Sequence, residues 1–254
     1  MKIISLLLSL ILLFSLCGCD SDSEDFKITP LPIPSVPEEE PETQPTLPCP
    51  TIPAEPEETE TTEPTEPAPP PADADFVKIC DYIPDAVIDL RYATEDNFTG
   101  WVIYDFTDAW LRYGTVKKLM AVQSELRENG YCLKIWDSFR PVSAQFRLWE
   151  IYPDSTYVAN PNTGYSSHSR GNTVDITIVR LDGSNVVMPT GFDDFSRLAD
   201  RDYSDCTAEA AENAVFLETL MEKHGFKGYY GEWWHYTDTV SYPVEKSEIQ
   251  NGGE

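Results

Sequence analysis

Between Thr173 and Arg180 the chain reads Thr-Val-Asp-Ile-Thr-Ile-Val-Arg. This alternation makes a strand with Val174, Ile176 and Ile178 on one face and Asp175, Thr177 and Val179 on the other. Asp175 constrains what can be built around it. A carboxylate inside a β-branched run is costly if buried without a partner, so it either lies on an exposed face or meets a cation. Just upstream stand Ser166, His168 and Gly171, and the glycine gives the backbone freedom to fold His168 back towards Asp175. The chain has three histidines, and a second one, His235, closes the stretch Glu232-Trp233-Trp234-His235. Two imidazoles and one carboxylate are a sufficient ligand set for a catalytic Zn²⁺, which takes three protein groups and keeps a further position for water. A carboxylate left off the metal is what such a site needs to move protons. This pattern points to a zinc peptidase.

The spacing of the second stretch raises a difficulty. Phe226 to Tyr236 reads as an aromatic strand, and residues three apart on a regular strand point to opposite faces. Glu232 and His235 can serve one site only if a bend, a bulge or a turn of helix intervenes. Gly228 and Gly231 make room for an irregular entry. Without His168 and Asp175, the same stretch would read as core aromatics with Glu232 and His235 exposed.

The beginning of the chain has another character. Met1-Lys2, an apolar run from Ile3 to Leu16 and then Cys17-Gly18-Cys19 form a secretory signal, short for a stable membrane anchor. Its end resembles a bacterial lipobox, with Cys19 as the lipidated residue and Cys17 where a smaller side chain is more usual. Residues 20–75 hold sixteen acids and one lysine, −15 of the chain's formal −26, and are dense in Pro, Glu and Thr. Such a segment buries too little apolar surface to offset the entropy of ordering, so a disordered stalk is expected, spanning roughly 40 Å as a coil to roughly 170 Å as polyproline II. Residues 76–254 suit one domain, also acidic and without a basic patch, which argues against nucleic acid as a partner. The expected location is outside the cytoplasmic membrane, tethered by lipid. Cys49, Cys80, Cys132 and Cys206 allow three full disulfide pairings, and none has the close spacing of a zinc knuckle.

Within the domain, Asp89 to Gly100 starts as a short strand and becomes a polar loop. Ala109 to Asn129 is predicted as an amphipathic helix stopped by Gly130, with Gln123 the one polar break in its apolar stripe. Tyr131 to Trp136 alternates as a strand and ends at Asp137-Ser138-Phe139-Arg140-Pro141. Pro141 opens a helix to about Tyr152 and holds Arg140 extended. An arginine there points into a cleft or makes a surface ion pair, and both readings stay open. Thr207 to Lys223 is predicted as a helix with Ala211, Val215, Leu220 and Met221 facing the core. His224, between Lys223 and Gly225, reads as a helix-end residue rather than a ligand.

Taken together these residues resemble the VanX-like D-alanyl-D-alanine dipeptidases, zinc enzymes related to the D,D-carboxypeptidases of bacterial cell walls. Ser166, His168, Gly171 and Asp175 meet the family's first motif, with Thr173 in place of an Ala. Glu232 and His235 meet the second, and Trp136-Asp137 with Arg140-Pro141 the third. Tyr92 to Thr94 and Asn97 to Gly100 match near the start of the domain, whereas the end beyond Tyr242-Pro243 differs. The resemblance implies an α+β fold whose central, mainly antiparallel sheet carries the zinc site and is flanked by helices. It implies that His168, Asp175 and His235 bind Zn²⁺, that Glu232 is the catalytic base and that Arg140 stabilises the oxyanion. It further implies that Asp193 receives the substrate amine, with Ser166 and Tyr92 lining the pocket. The substrate would be D-Ala-D-Ala, or alternatively a stem peptide ending in D-Ala trimmed by an exported D,D-carboxypeptidase. A rival of another class is a tethered wall-binding module whose zinc is structural.

Overall fold

A computed structural model describes residues 69–247. The signal peptide and lipobox expected over 1–19, the expected lipidation site Cys19, most of the stalk expected over 20–75 and Cys49 lie outside the described residues. So does the last part of the domain expected over 76–254. Among the described residues no helix is long and apolar enough to cross a membrane.

The elements follow in the order β1 (Phe76–Lys78), α1 (Ile79–Tyr82), β2 (Val87–Ile88), β3 (Trp110–Arg112), α2 (Tyr113–Glu128), β4 (Tyr131–Asp137), α3 (Val142–Ile151), β5 (Thr173–Arg180), α4 (Ala208–Lys223), β6 (Phe226–Tyr229) and β7 (Glu232–Asp238). Strands β1 and β3 pair antiparallel as a small separate sheet. The main sheet has the order β2-β4-β5-β7-β6, and all its pairs are antiparallel except β2 with β4. Helix α2 packs against β4 and α4 against β6 and β7, giving the α+β arrangement. The chain from Ala72 already contacts the domain: Asp73 bonds Lys117, and Arg112 Nη1 donates to the Ala74 carbonyl.

Register explains the core. Residues directly opposite on antiparallel strands share a face. Leu133, Ile135, Val174, Ile176, Ile178 and Tyr236 are joined by pairings across β4, β5 and β7 and are all essentially fully buried. The other face of the same strands carries Asp175.

Four sequence expectations change. The helix predicted from Ala109 begins only at Tyr113, because Trp110 to Arg112 are extended against β1. Long-range pairing overrides local helical periodicity there. Gln123, the apparent flaw in α2, is buried, donating to Asp85 and accepting from the Leu133 backbone N–H. On α4 the buried stripe is Ala210, Ala214, Leu217, Leu220 and Met221, and Val215 is 47% exposed. Leu220 and Met221 face the core as predicted, while Ala210 and Ala214 take the places expected of Ala211 and Val215. Lastly, the single strand predicted over Phe226 to Tyr236 is a hairpin, β6 and β7, turned at Tyr230-Gly231. His224 caps the end of α4 and pairs with Glu125, as a helix-end residue should. Cys80, Cys132 and Cys206 are free.

Candidate active site

The polar face of the sheet is built by two irregularities that flank Asp175. On β4, Ile135 pairs with Ile176, yet Asp137 pairs with the very next residue, Asp175. One extra residue on β4 therefore turns Asp137 from the core face to the face of Asp175. On the other side His235 is the register partner of Asp175. Along β6–β7, Gly228 pairs with Tyr236 while Tyr229 pairs with Glu232, so Trp233 to His235 bulge out of the ladder. This is the irregularity that the Glu232–His235 spacing requires. It brings the Glu232 carboxylate to 3.5 Å from His235 Nδ1.

His168 arrives from a different direction. It sits on a 3₁₀ turn, Ser167–Arg170, whose first backbone N–H groups are capped by Ser166, its hydroxyl accepting from the His168 N–H at 3.3 Å. The turn ends at Gly171, with φ +72°, and a Cβ there would stand 2.3 Å from the Phe76 ring. No other residue gives both that backbone and that clearance. His168 Nδ1 donates to the Ser138 carbonyl at 2.8 Å, which leaves Nε2 with its lone pair towards Asp175.

Two imidazole nitrogens and the two oxygens of Asp175 now converge. His168 Nε2 lies 3.4 Å from Asp175 Oδ2 and 3.4 Å from His235 Nδ1, and His235 Nδ1 lies 3.0 Å from Asp175 Oδ1. Ligands placed tetrahedrally about 2.1 Å from a zinc ion stand about 3.4 Å from one another. Asp175 is 3% exposed, and its Oδ1 has no hydrogen-bond donor of acceptable geometry. Burial alone would raise the Asp175 pKa, but the two imidazoles hold it well below the usual carboxylate range. An orphaned buried oxygen between two imidazoles is a site made for a cation, and His/Asp/His suits Zn²⁺.

Glu232 lies beside this cluster and is partly buried; burial raises its pKa against the pull of His235. Arg140 is buried, not on the surface. Its guanidinium bonds Asp137 through Nη2 at 2.6 Å and Nε at 3.2 Å, Tyr104 through Nε at 3.3 Å and Gln145 through Nη1 at 2.9 Å. Burial works against its charge, but Asp137 more than compensates and holds its pKa well above the ordinary value. The guanidinium also stands 5.0 Å over the Tyr92 ring, and the Tyr92 hydroxyl donates to Asp193 Oδ2 at 2.8 Å. Asp193 has φ +55°, a conformation Asp tolerates better than most residues, and burial raises its pKa well above the usual range. One aromatic ring thus links the arginine to the aspartate.

The residues predicted to bind metal, catalyse or bind substrate all fall in this region, although Ser166 has a capping task of its own. Sequence reasoning gave no role to Asp137 and passed over Tyr104 and Gln145, the residues that hold Arg140. The three-residue spacing of Asp137 and Arg140 ahead of Pro141 was the available signal. Thr173, the departure from the family motif, is fully buried with its hydroxyl 3.0 Å from that of Thr237, the next pair along the face that carries Asp175 and His235.

Similarity to known proteins places the chain in a family. A D-alanyl-D-alanine dipeptidase of Escherichia coli K12 is 33% identical over 172 residues, covering 67% of this chain and 89% of that protein. One of Enterococcus faecalis is 34% identical over 168 residues, covering 58% of this chain and 83% of that protein. A solved vancomycin-resistance D,D-pentapeptidase in complex with Zn(II) superposes with a TM-score of 0.35 at 15% identity, over 54% of this chain and 76% of that one, too slight a likeness to define the fold. The M15 peptidase model described as D-ala-D-ala dipeptidase matches residues 72–248, and the chain belongs to that family.

Proposed function

We propose that this protein is a zinc peptidase that hydrolyses D-alanyl-D-alanine. His168, Asp175 and His235 hold the metal, and the observation that carries the reading is their convergence: the two imidazole nitrogens stand 3.4 Å apart, and each lies 3.0 to 3.4 Å from one oxygen of Asp175. Bound there, Zn²⁺ supplies Lewis acidity, bringing the pKa of water towards about 7 and polarising a peptide carbonyl.

The remaining steps belong to the side chains. Glu232 is outside the ligand set, and its raised proton affinity suits it to take a proton from water and pass it to the leaving amine. Arg140 presents a fixed positive charge held by Asp137, Tyr104 and Gln145, so stabilising a developing oxyanion needs no reorganisation. Asp193, held by the Tyr92 hydroxyl, favours the ionised form once a substrate ammonium approaches. An acid at that end of the pocket favours a free dipeptide over a longer stem peptide. The test compares hydrolysis of free D-Ala-D-Ala with a pentapeptide ending in D-Ala-D-Ala by the metal-replete protein. Faster cleavage of the dipeptide is expected. Cleavage of the pentapeptide alone makes it a D,D-carboxypeptidase, and stoichiometric zinc with neither reaction makes it a wall-binding module.

The chain's placement is also part of the proposal: exported, lipid-anchored through Cys19 on the outer face of the membrane and held off it by the acidic stalk. The support is the Lys2, Ile3 to Leu16, Cys17-Gly18-Cys19 pattern. Radiolabelled palmitate should enter the wild-type protein and not Cys19→Ala. Equal labelling of the two would end the anchor assignment.

A further inference from the structure

The bulge that brings Glu232 beside His235 has a backbone cost. Trp233, Trp234 and His235 have no register partner on β6, so carbonyls that a regular ladder would satisfy need another donor. Arg201 supplies it. Its Nη2 donates to the carbonyls of Trp233 at 2.9 Å and His235 at 3.0 Å, and its Nε to that of Tyr229 at 2.8 Å. One guanidinium therefore stitches β6 to β7 across the gap.

The surroundings are fitted to this group. Its side chain is 6% exposed, and its Nη1 lies 3.3 Å from Glu218 Oε2. The same nitrogen is 3.3 Å from the Tyr236 hydroxyl, and the group stands 4.4 Å from the Tyr236 ring centre. A Cβ at Gly228 would lie 2.4 Å from Arg201 Cζ, so the strand opposite the bulge is emptied of side chain where the guanidinium enters. A planar fork with five N–H donors can reach carbonyls on two strands at once, which an ammonium cannot.

We infer that Arg201 is a positioning residue for the reaction: by replacing the missing ladder it sets the bulge that holds Glu232 and His235 on the face of Asp175. The inference rests on the roles proposed above for Glu232 and His235. A guanidinium that only stabilised the hairpin would affect melting, not metal affinity or turnover in the folded protein.

The test uses Arg201→Ala, Arg201→Lys and Gly228→Ala, with the exposed Arg197→Ala as a control. Zinc affinity is read by competition with a chromophoric chelator, kcat and KM on D-Ala-D-Ala, and folding by circular dichroism. For Arg201→Ala, zinc affinity and kcat should each fall about 10- to 100-fold, the range for residues that orient metal ligands, with KM little changed. Added guanidinium should recover both. Arg201→Lys should resemble Arg201→Ala, and Gly228→Ala should lose both properties without recovery, because its methyl occupies the space. A folded Arg201→Ala with wild-type zinc affinity and kcat overturns the inference. If that variant does not fold, Gly228→Ala decides, and unchanged zinc affinity and kcat in it overturn the inference. Zinc affinity is measured without substrate, so a wild-type protein inert towards D-Ala-D-Ala retires the substrate reading and leaves this test standing.

Discussion

Asp137 and Asp175 are register partners on neighbouring strands, 0% and 3% exposed, yet their surroundings differ sharply. Asp137 accepts from Tyr104 Oη, the Ser138 N–H and two nitrogens of Arg140. Asp175 faces two imidazoles and keeps one oxygen without a donor. A buried carboxylate with a full complement of donors belongs to the scaffold, and one with an orphaned oxygen is a ligand for something not made of protein. The same level of one sheet thus holds a finished ion pair that aims Arg140 and an open one that takes a metal.

On the open side, Glu232→Ala should cost turnover by a factor on the order of 10³ to 10⁴ while zinc stoichiometry stays the same. Metal analysis of the purified variant checks this, and zinc loss would move Glu232 into the ligand set. On the finished side, Asp137→Ala strands the Arg140 charge and should cost about 3 to 5 kcal/mol of stability. Asp175→Ala, measured by denaturant unfolding in chelator, should cost clearly less, because nothing is left unpaired that a donor had satisfied. Equal losses for the two would break the distinction. Arg140→Ala should lower kcat by on the order of 10² or more with zinc retained. An unchanged kcat would take Arg140 out of the mechanism.

The smallest effect concerns a third carboxylate, Asp193, intermediate between the two, with one donor from Tyr92. Its pKa is raised on folding, so the folded chain binds the proton more tightly than the unfolded one. Its contribution to stability is therefore fully present below the unfolded value of about 4 and is lost as pH rises through the raised folded value. Asp193→Asn should flatten that part of the stability–pH curve and raise KM for the dipeptide. Thermal melts of the substrate-free protein across mildly acidic to neutral pH check the sign, and a steeper curve in the variant would reverse it.

Regular periodicity was legible along much of the chain. β4, β5 and α4 appear where alternation or helical spacing put them, because their patterns repeat over enough residues to outweigh local exceptions, and α3 appears where Pro141 opens it. Trp110 to Arg112 and the β6–β7 turn were not legible, since both depend on what the segment pairs with. Gln123 read as a flaw because its partners, Asp85 and the Leu133 amide, lie elsewhere in the chain. The candidate metal ligands and a spare carboxylate beside them stood out by residue type and spacing. Arg201 did not, because an arginine in an irregular loop has no local signature of the carbonyls it will meet.

The amino-acid sequence by itself determined the donor set, two histidines and an aspartate with a spare glutamate, and the β-branched strand that carries the aspartate. It also determined, through the odd spacing of Glu232 and His235, that a regular strand could not serve. Only the tertiary structure decided how that conflict is resolved, by an extra residue in β4 and a bulge in β7 on either side of Asp175. The reason is that side-chain direction in a sheet follows register, and register is a relation between strands that no single segment contains.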